Sequence, residues 1–378
     1  MKILHVITTI NRGGAENHLL ELARGQRSSG LDVSVAYLRG GGYWADTYRE
    51  LGVEVHDLGL RYYGQLAPLS KLMRVIRGSD FDLIHAHLPP AELYTRLALL
   101  GTWRWSVPFV ISKHNDEGFY RGPGERFMGR WVARRSARVI CISQAVNRFM
   151  AGPGLGLAPE KLRLIYYGID EHFAKSSCAK REGIRTEWGI PEGTLAIGFT
   201  GRLVPQKDLP TLIRGFALFA SQIEHAKLVM VGIGELEAEL KRLAEEIGIA
   251  DRIVWAGFRE DIPEVMSAFD VFALTSHYEG FGLVLLEAMI SRLPVVATRV
   301  SAIPEIVVDG ETGLLINPHT PEALASALCK LCDTSLRTLL GDAGRQRVLR
   351  EFTIQRMVEQ TIELYDQCVN GREARRAP

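Results

Sequence analysis

The chain has 378 residues, a formal net charge of +1 and a hydrophobic fraction of 47%, which suit a globular protein with room for two domains. The near-neutral charge excludes a bulk electrostatic preference for nucleic acid. The five cysteines are odd in number and lack a framework spacing, which favours a reducing compartment over a disulfide scaffold. No apolar run reaches the roughly 20 residues that a membrane-spanning helix requires. We therefore expect a cytoplasmic protein.

Charge is unevenly distributed along the chain. Residues 1–170 carry 22 Lys and Arg against 15 Asp and Glu, whereas the remaining residues carry 23 against 29. A basic N-terminal half followed by an acidic C-terminal half indicates that the N-terminal half binds an anionic partner.

Short runs rich in β-branched residues predict buried strands. A first series is predicted at residues 3–9, 32–38, 82–88, 109–114 and 138–143. A second series is predicted at residues 195–201, 227–232, 252–258, 270–276, 294–299 and 313–318. Amphipathic stretches separate the runs, and strands that alternate with helices predict parallel sheets. The predicted fold class is therefore α/β, with two doubly wound, Rossmann-like domains.

An irregular polar stretch at residues 171–194 divides the two series. We predict an N-terminal domain over 1–170 and a C-terminal domain over 171–351. A terminal helical segment over 352–378 could pack onto either domain, the N-terminal one included. Ligands of doubly wound sheets bind beyond the carboxyl ends of the strands, so we expect the site in the cleft between the domains.

The stretch "NRGGAE" (11–16) follows the first predicted strand. Gly13 and Gly14 can open the next helix and let the backbone approach a phosphate or a sugar closely. A plain turn between strand and helix explains these glycines equally well. The stretch is not G-x-G-x-x-G, and no acidic residue ends the second predicted strand, which argues against a dehydrogenase.

Three histidines, His85, His87 and His114, lie at or near strand ends in the first series. A group of histidines can bind a metal ion, but no carboxylate or cysteine close to them completes such a site. We therefore predict no metal.

A basic periodicity follows at residues 122–138. Its arginines recur every four residues and are predicted to line one face of a helix. They are Arg126, Arg130, Arg134 and Arg138, with Phe127, Met128 and Trp131 beside them. Such a helix is typical of proteins that bind an anionic membrane surface. An ordinary helix with core aromatics and solvated arginines fits the pattern equally well.

The stretch "GRLVPQKD" (201–208) follows the first strand of the second series. Arg202 supplies a planar guanidinium and Lys207 a compact ammonium, a combination that suits a diphosphate. Solvated loop charges are the simpler explanation for either residue alone. The position at a strand's carboxyl end favours the diphosphate.

The stretch "SHYEGFGLVLLEA" (276–288) places two glutamates on either side of glycines and aliphatics. Gly280 and Gly282 predict a loop at Glu279, followed by a helix that begins near Leu283 and carries Glu287. The backbone N–H groups at such a helix start can meet an anion. The stretch therefore suits a phosphorylated, polyhydroxylated ligand.

Together these motifs resemble those of the retaining glycosyltransferases of family 4, which have the two-domain GT-B fold. The most specific is the spacing of Glu279 and Glu287 in "EGFGLVLLEAM". Supporting stretches follow the family's order: "GGAE" (13–16), "CIS" (141–143), "GRLVPQKD" (201–208), "VGIGE" (231–235) and "IPEIVVDGETGLLINP" (303–318). The resemblance covers nearly the whole chain.

The resemblance implies that a nucleotide-sugar binds the C-terminal domain and the acceptor binds the N-terminal domain. It implies a catalytic set of Glu279, Arg202, Lys207 and His114. Further implied donor contacts are Gly13, Gly14, Gly257, Phe258, Gly280, Phe281, Gly282, Leu283, Val284 and Glu287. Tyr167 is a departure, because the family often has asparagine at this position.

From this resemblance we expect a retaining, metal-independent hexosyltransferase without a cofactor. A UDP-sugar is favoured over a GDP-sugar as donor. The acceptor is expected in cell-surface polysaccharide, lipopolysaccharide or glycolipid assembly, at or near the cytoplasmic face of the membrane. The alternatives are a nucleotide-sugar epimerase, a phosphorylase that would need a pyridoxal-phosphate lysine, and a non-catalytic nucleotide-sugar-binding protein.

Overall fold

The computed structural model describes residues 1–115, 122–174 and 178–373. The chain forms two compact units: unit 1 comprises Met1–Gly168 and Ile354–Pro378, and unit 2 comprises Ile169–Thr353. Both boundaries lie two residues from the predicted ones. Residues 175–177 of the predicted divider and 374–378 of the predicted terminal segment lie outside the described residues.

Unit 1 is built on a parallel sheet. Its strands are β1 (Lys2–Ile7), β2 (Asp32–Tyr37), β3 (Glu54–Asp57), β4 (Leu83–His87), β5 (Phe109–Lys113), β6 (Arg138–Cys141) and β7 (Leu162–Leu164). The strand order is β3-β2-β1-β4-β5-β6-β7. The order reverses between β1 and β4, which pair with His5 opposite His85. The carboxyl edge of this pair is the place where doubly wound sheets bind ligands.

Unit 2 repeats the arrangement. Its strands are β8 (Leu195–Thr200), β9 (Ala226–Val231), β10 (Ile253–Gly257), β11 (Val271–Leu274), β12 (Val295–Thr298) and β13 (Leu314–Ile316). They are parallel and ordered β10-β9-β8-β11-β12-β13, with the reversal between β8 and β11. The predicted fold class, two doubly wound α/β units, is confirmed.

Helices connect the strands in both units. In unit 1 they are α1 (Gly14–Ser28), α2 (Ala45–Glu50), α3 (Leu66–Gly78), α4 (Pro89–Thr102), α5 (Pro123–Arg135) and α6 (Gln144–Phe149). In unit 2 they are α7 (Cys178–Glu187), α8 (Leu209–Ala220), α9 (Glu237–Ile247), α10 (Ile262–Ala268), α11 (Leu283–Ile290), α12 (Ile303–Ile306), α13 (Pro321–Lys330) and α14 (Thr334–Glu351). The last helix, α15 (Ile354–Glu373), belongs to unit 1.

Each predicted strand corresponds to an observed one, but two strands were not predicted. β3 and β7 are short edge strands, with the burial pattern of β3 only partial and β7 only three residues long. Charged residues interrupt both sequences, EVHD in β3 and LRL in β7, so neither has the continuous apolar run that identifies a buried strand.

The terminal helix α15 completes the core of unit 1. Its residues Met357, Val358 and Tyr365 belong to the same buried cluster as the aliphatic residues of β1 and β2. The contact with α1 is close: a Cβ on Gly25 would lie 2.4 Å from Cγ2 of Val358. Glycine at position 25 therefore permits the two helices to pack together.

Candidate active site

The loops after β8 and β11 are adjacent because their strands pair where the order of unit 2 reverses. The Thr275 hydroxyl shares its hydrogen between the carbonyl oxygens of Lys207 (3.1 Å) and Asp208 (2.9 Å). The side-chain amide of Gln206 donates to the carbonyl of Tyr278 at 3.0 Å. These bonds hold residues 201–208 against residues 276–288. The sequence predicted an anion-binding segment at each of these two places.

Lys207 and Glu279 form an ion pair at the centre of these loops. Nζ of Lys207 donates to Oε1 of Glu279 at 2.5 Å, and Oγ of Ser276 donates to the same oxygen at 2.7 Å. Their side chains are 13% and 8% exposed. Since both bonds end on Oε1, Oε2 accepts none from the described residues, and the ammonium of Lys207 keeps two hydrogens for another acceptor. The pair can thus serve a ligand without breaking.

Arg202 lies at the start of the same loop, directly after β8. Its guanidinium is exposed and has no ion-pair or hydrogen-bond partner in the described part of the chain. A planar fork of donors that is not engaged is available to an anion with two oxygens. Its predicted role in binding a diphosphate remains untested.

Helix α11 begins at Leu283, as predicted. Gly282 precedes it with φ of 99°, a conformation that favours glycine, and no side chain caps the first turn. The N–H groups of Leu283 and Val284 therefore lack a side-chain acceptor, and the positive end of the helix dipole faces the loop. This end of α11 can bind an anion.

Glu287 lies one turn into α11 and is half-buried. Burial raises the pKa of its carboxyl group to about 7. The carboxylate accepts no hydrogen bond and forms no ion pair among the described residues. Its charge is therefore uncompensated in the ligand-free protein. A ligand that brings hydroxyl donors would remove that cost.

Two further loops of unit 2, after β9 and β10, contain glycines close to the candidate site. A Cβ on Gly232 would lie 1.9 Å from the carbonyl oxygen of Gly201, and one on Gly234 would lie 2.3 Å from that of Leu203. The stretch "VGIGE" is therefore needed for the loop after β9 to cross the loop after β8. Gly257 has φ of 64° and Phe258 is 51% exposed, so these two predicted donor contacts lie in an accessible loop.

In unit 1, α1 begins at Gly14 with Gly13 as its N-cap. A Cβ on Gly13 would lie 2.3 Å from Oε2 of Glu16, because the Glu16 side chain folds back over this turn. A carboxylate in the first turn stabilises the positive end of the helix and disfavours a phosphate at the same place. The predicted contact of Gly13 and Gly14 with the donor remains a prediction.

His114 follows β5 and is buried. Its Nδ1 is hydrogen-bonded to the hydroxyl of Tyr167, whose ring stacks on His18 at a centroid distance of 4.1 Å. Burial, assisted by the charge of Lys113, lowers the pKa of His114 to about 3, so the ring is neutral at pH 7. Tyr167, the departure from the family pattern, therefore orients the histidine that the resemblance assigned to catalysis.

Three ring nitrogens in this part of unit 1 have no hydrogen-bond partner among the described residues: Nε2 of His114, Nδ1 of His18 and Nδ1 of His87. The His87 and His114 rings are 5.5 Å apart and the His18 and His114 rings 5.8 Å apart. Buried nitrogens without partners are costly, and hydroxyl groups of a bound ligand would satisfy them.

Behind these rings, His5 and His85 belong to a buried polar network. His5 bonds to His87 at 3.0 Å and to Oε1 of Gln26 at 2.8 Å. His85 bonds to Ser112 at 2.8 Å and to the Tyr365 hydroxyl at 2.6 Å. The network joins α1 and α15 to the sheet, and we assign His85 a structural role.

The predicted helix with four arginines on one face requires a correction. Helix α5 ends at Arg135, and Ser136 is extended (φ −63°, ψ 145°), so Arg138 is instead the first residue of β6, opposite Val110. Sheet pairing overrides the helical spacing at this point. Trp131 is also not exposed: it is half-buried beneath Arg96, 4.8 Å from ring centre to guanidinium carbon.

The remaining residues of α5 do form an exposed basic and apolar surface. Arg126, Arg130 and Arg134 are exposed, while Phe127 and Met128 are 71% and 40% exposed. Arg130 also donates to the carbonyl of Leu155 at 2.7 Å. Phe127 is therefore not a core residue, which removes the main argument for an ordinary domain helix.

Sequence reasoning missed a second lysine–glutamate pair. Nζ of Lys113, the last residue of β5, donates to Oε2 of Glu92 at 2.5 Å, and both side chains are 2% exposed. It also missed Ser276, which holds the carboxylate of Glu279. The available signal was a polar residue at the end of a buried strand, for Lys113, or shortly after it, for Ser276, because a buried polar group must find a partner.

Two groups of three side chains bring potential metal ligands within 4.8 Å of one another in the described part of the chain. One comprises His5, His85 and His87, and the other comprises Asp208, His277 and His319. The second group lies in unit 2, whereas the prediction of no metal rested on histidines of unit 1.

Among the described residues, no helix is long and apolar enough to cross a membrane.

Two family models match the chain. Residues 12–173 match the model "Glycosyltransferase Family 4", and residues 180–347 match "Glycosyl transferases group 1". The D-inositol 3-phosphate glycosyltransferase of Corynebacterium jeikeium is 32% identical over 312 residues, which cover 77% of this chain and 73% of that protein. The N-acetyl-alpha-D-glucosaminyl L-malate synthase of Bacillus anthracis is 26% identical over 79% of this chain and 78% of its own length.

Solved structures show the same architecture. The crystal structure of Anabaena HepE in complex with UDP-glucose superposes with a TM-score of 0.83 and 25% identity, and the match covers 97% of this chain and all of that one. A second structure of that protein, with UDP and glucose, has a TM-score of 0.86.

Proposed function

Since the chain belongs to the glycosyltransferases of family 4 with a group 1 module, we propose that it transfers a sugar from a UDP-sugar to an acceptor hydroxyl with retention of configuration. That it is a nucleotide-sugar-dependent glycosyltransferase follows from its family. The choice of UDP is supported by the UDP-glucose bound to HepE. The α configuration of the donor would be retained because the acceptor hydroxyl arrives on the face that the diphosphate leaves.

The observation that carries the proposal is the arrangement around Lys207 and Glu279. Breaking a sugar–phosphate bond develops negative charge on the departing diphosphate. Arg202, Lys207 and the start of α11 supply three sources of positive potential at the carboxyl edge of unit 2. Preorganised charges of this kind are the largest contribution to many enzymatic rate enhancements. No metal ion is then required for turnover.

The two glutamates would position the sugar and the nucleoside. Oε2 of Glu279 can accept from a hydroxyl of the transferred sugar while Oε1 stays with Lys207. Glu287 would accept from the ribose hydroxyls, and their hydrogen bonds would favour its ionised form. The contact of His114 with the donor sugar, which the resemblance implies, stays a prediction. No residue acts as a covalent nucleophile in this scheme.

The proposal is tested by measuring binding and slow hydrolysis of UDP-, GDP- and ADP-sugars with EDTA present. We expect one UDP-sugar to bind and to be hydrolysed slowly, with the released sugar first appearing as the α-anomer by NMR. No donor bound at millimolar concentration would contradict the proposal, and so would hydrolysis that stops on chelation. Binding without any turnover, even with acceptors, would favour a non-catalytic binding protein.

We further propose that the protein is located in the cytoplasm and that its acceptor is presented at an anionic membrane surface, to which the protein binds peripherally through α5. The exposed Phe127 and Met128 can enter the headgroup region, and each nearby arginine contributes about 1 kcal/mol there. An acceptor in polysaccharide, lipopolysaccharide or glycolipid assembly fits this location.

The membrane proposal is tested with vesicles containing anionic lipid at low salt. Replacing Phe127 and Met128 by serine should abolish sedimentation of the protein with the vesicles. The control is Leu339→Ser, which removes an apolar side chain of 65% exposure from α14. If the wild-type protein does not bind, or if the control variant loses binding equally, α5 is not a membrane contact.

A further inference from the structure

We propose that Asp208, His277 and His319 form a binding site for one divalent transition-metal ion of the zinc type. The three residues follow β8, β11 and β13, so the sheet of unit 2 brings them together from distant parts of the sequence. The site adjoins the glycosyl-transfer machinery proposed above, because Asp208 follows Lys207 and His277 follows Ser276 in the chain, but it does not depend on that proposal.

The ligand atoms converge on one oxygen. Nδ1 of His319 lies 3.2 Å from Oδ2 of Asp208, and Nδ1 of His277 lies 3.7 Å from the same oxygen. Ligands that share a zinc ion at about 2.0–2.2 Å lie roughly 3.0–3.5 Å apart. The observed separations are therefore close to those of a bound set, and the exposed His319 ring can make the small adjustment.

Hydrogen bonding alone does not account for the arrangement. The 3.7 Å separation exceeds a hydrogen bond, and Nδ1 of His277 is buried without a hydrogen-bond partner among the described residues. The two imidazole rings lie 4.6 Å apart. One ion between them would satisfy both nitrogens and the carboxylate together.

The carboxylate is also supported as metal ligands are. Oγ1 of Thr211 donates to Oδ2 of Asp208 at 2.8 Å, and such supporting bonds fix the orientation of ligating groups. Two imidazoles with one carboxylate favour zinc, cobalt or nickel over magnesium or calcium, which prefer oxygen ligands alone. Because the side chain of His319 is 65% exposed, the remaining coordination positions are open to water.

The group of His5, His85 and His87 is a poorer candidate. His5 and His85 each use both ring nitrogens in hydrogen bonds, and all three side chains are 0% exposed. An ion would have to break that network in the core of unit 1. These residues nevertheless provide the competing outcome in a binding experiment.

The test is titration of the protein, freed of any polyhistidine tag, with Zn²⁺ by calorimetry and with Co²⁺ by visible absorption. We expect one equivalent to bind and the melting temperature to rise with Zn²⁺. His319→Asn should weaken binding at least ~10-fold, since loss of a ligand should cost no less than loss of a supporting residue. Asparagine tolerates the positive φ of 56° at this position.

The matched control is His172→Asn. His172 also lies 3.2 Å from a carboxylate oxygen, that of Asp170, but has no second histidine beside it in the described structure. Its replacement should leave metal binding unchanged, and both variants should retain metal-free turnover in EDTA. Absence of saturable one-to-one binding by the wild type would overturn the proposal. Undiminished binding by folded His319→Asn would overturn it as well, because the ion would then sit elsewhere.

Discussion

Two lysine–glutamate pairs, one at the carboxyl edge of each sheet, have the same separation of 2.5 Å but different surroundings. In unit 1, Lys113 and Glu92 are each 2% exposed. In unit 2, Lys207 and Glu279 are 13% and 8% exposed, and the second carboxylate oxygen of Glu279 accepts no bond from the described residues. We therefore interpret the fully buried pair of unit 1 as structural. The pair of unit 2 is partly exposed and remains available to a ligand.

The histidines of the two units also differ in burial. Unit 1 contains five that are buried, His5, His18, His85, His87 and His114, whereas none of the four histidines of unit 2 is buried. Burial lowers the pKa of His5 to about 4 and of His114 to about 3, and it lowers those of the other three well below 6.5. The buried histidines of unit 1 are thus neutral at pH 7.

Lowering the pH should reveal this difference in histidine burial most strongly, as a difference in the stability of the two units. A histidine held neutral in the fold loses no stability above pH 6.5, whereas each pH unit below 6.5 costs about 1.4 kcal/mol per histidine, because the unfolded chain takes up the proton. From pH 7.5 to 5.5 we expect a loss of several kcal/mol in unit 1 and none in unit 2, where protonation of Glu287 acts in the opposite direction. Hydrogen exchange, corrected for its intrinsic pH dependence, can follow peptides of each unit. Equal loss of protection in both units would contradict the comparison.

Lys113→Met should destabilise unit 1 by about 3–5 kcal/mol, because it removes the ammonium that pairs with the buried carboxylate of Glu92. The double variant Lys113→Met with Glu92→Leu should recover most of that loss. Urea denaturation of both variants measures the free energies of unfolding. A single variant as stable as the wild type would show that the buried pair is not needed.

Lys207→Ala should lower turnover at least ~100-fold with little change in folding, the scale of losing one preorganised charge contact. Glu279→Ala should have a similar effect. Lys227→Ala is the control, since Lys227 is a lysine of unit 2 whose ammonium bonds only the carbonyl of Asp251 in the described structure, at 3.2 Å. Steady-state kinetics with the accepted donor measures the turnover of each variant. Near-wild-type rates for Lys207→Ala would remove the residue from the mechanism.

Glu287→Gln should stabilise the ligand-free protein but weaken donor binding. A carboxyl group whose pKa is raised from 4.5 to about 7 costs no stability below pH 4.5 and carries its full cost above pH 7, about 3 kcal/mol. The stabilisation should therefore appear at pH 8 and vanish near pH 4.5, while donor affinity falls about tenfold at pH 8. Thermal denaturation and calorimetry measure the two effects, with the exposed Glu246→Gln as control. A variant that binds the donor as tightly as the wild type would remove Glu287 from the donor site.

The sequence was sufficient for the strands of the sheet interiors and for the start of α11. Continuous apolar runs identify central strands because both faces are buried, and the glycines before Leu283 favour a loop that ends where the helix begins. The same reasoning failed at β3 and β7, where partial burial weakens the pattern, and at Arg138, where a helical spacing continued into a strand.

The residue types and spacing of Arg202, Lys207, Glu279 and Glu287 therefore came from the sequence alone, because local turn chemistry and the rule for carboxyl ends of strands place them. The tertiary structure decided which of these groups pair, which remain open, and which histidines are neutral. It also placed Tyr167 on His114, and Asp208 beside His277 and His319. Such contacts join residues that are far apart in the chain, and burial and pKa depend on what the fold packs around each group, which no local pattern encodes.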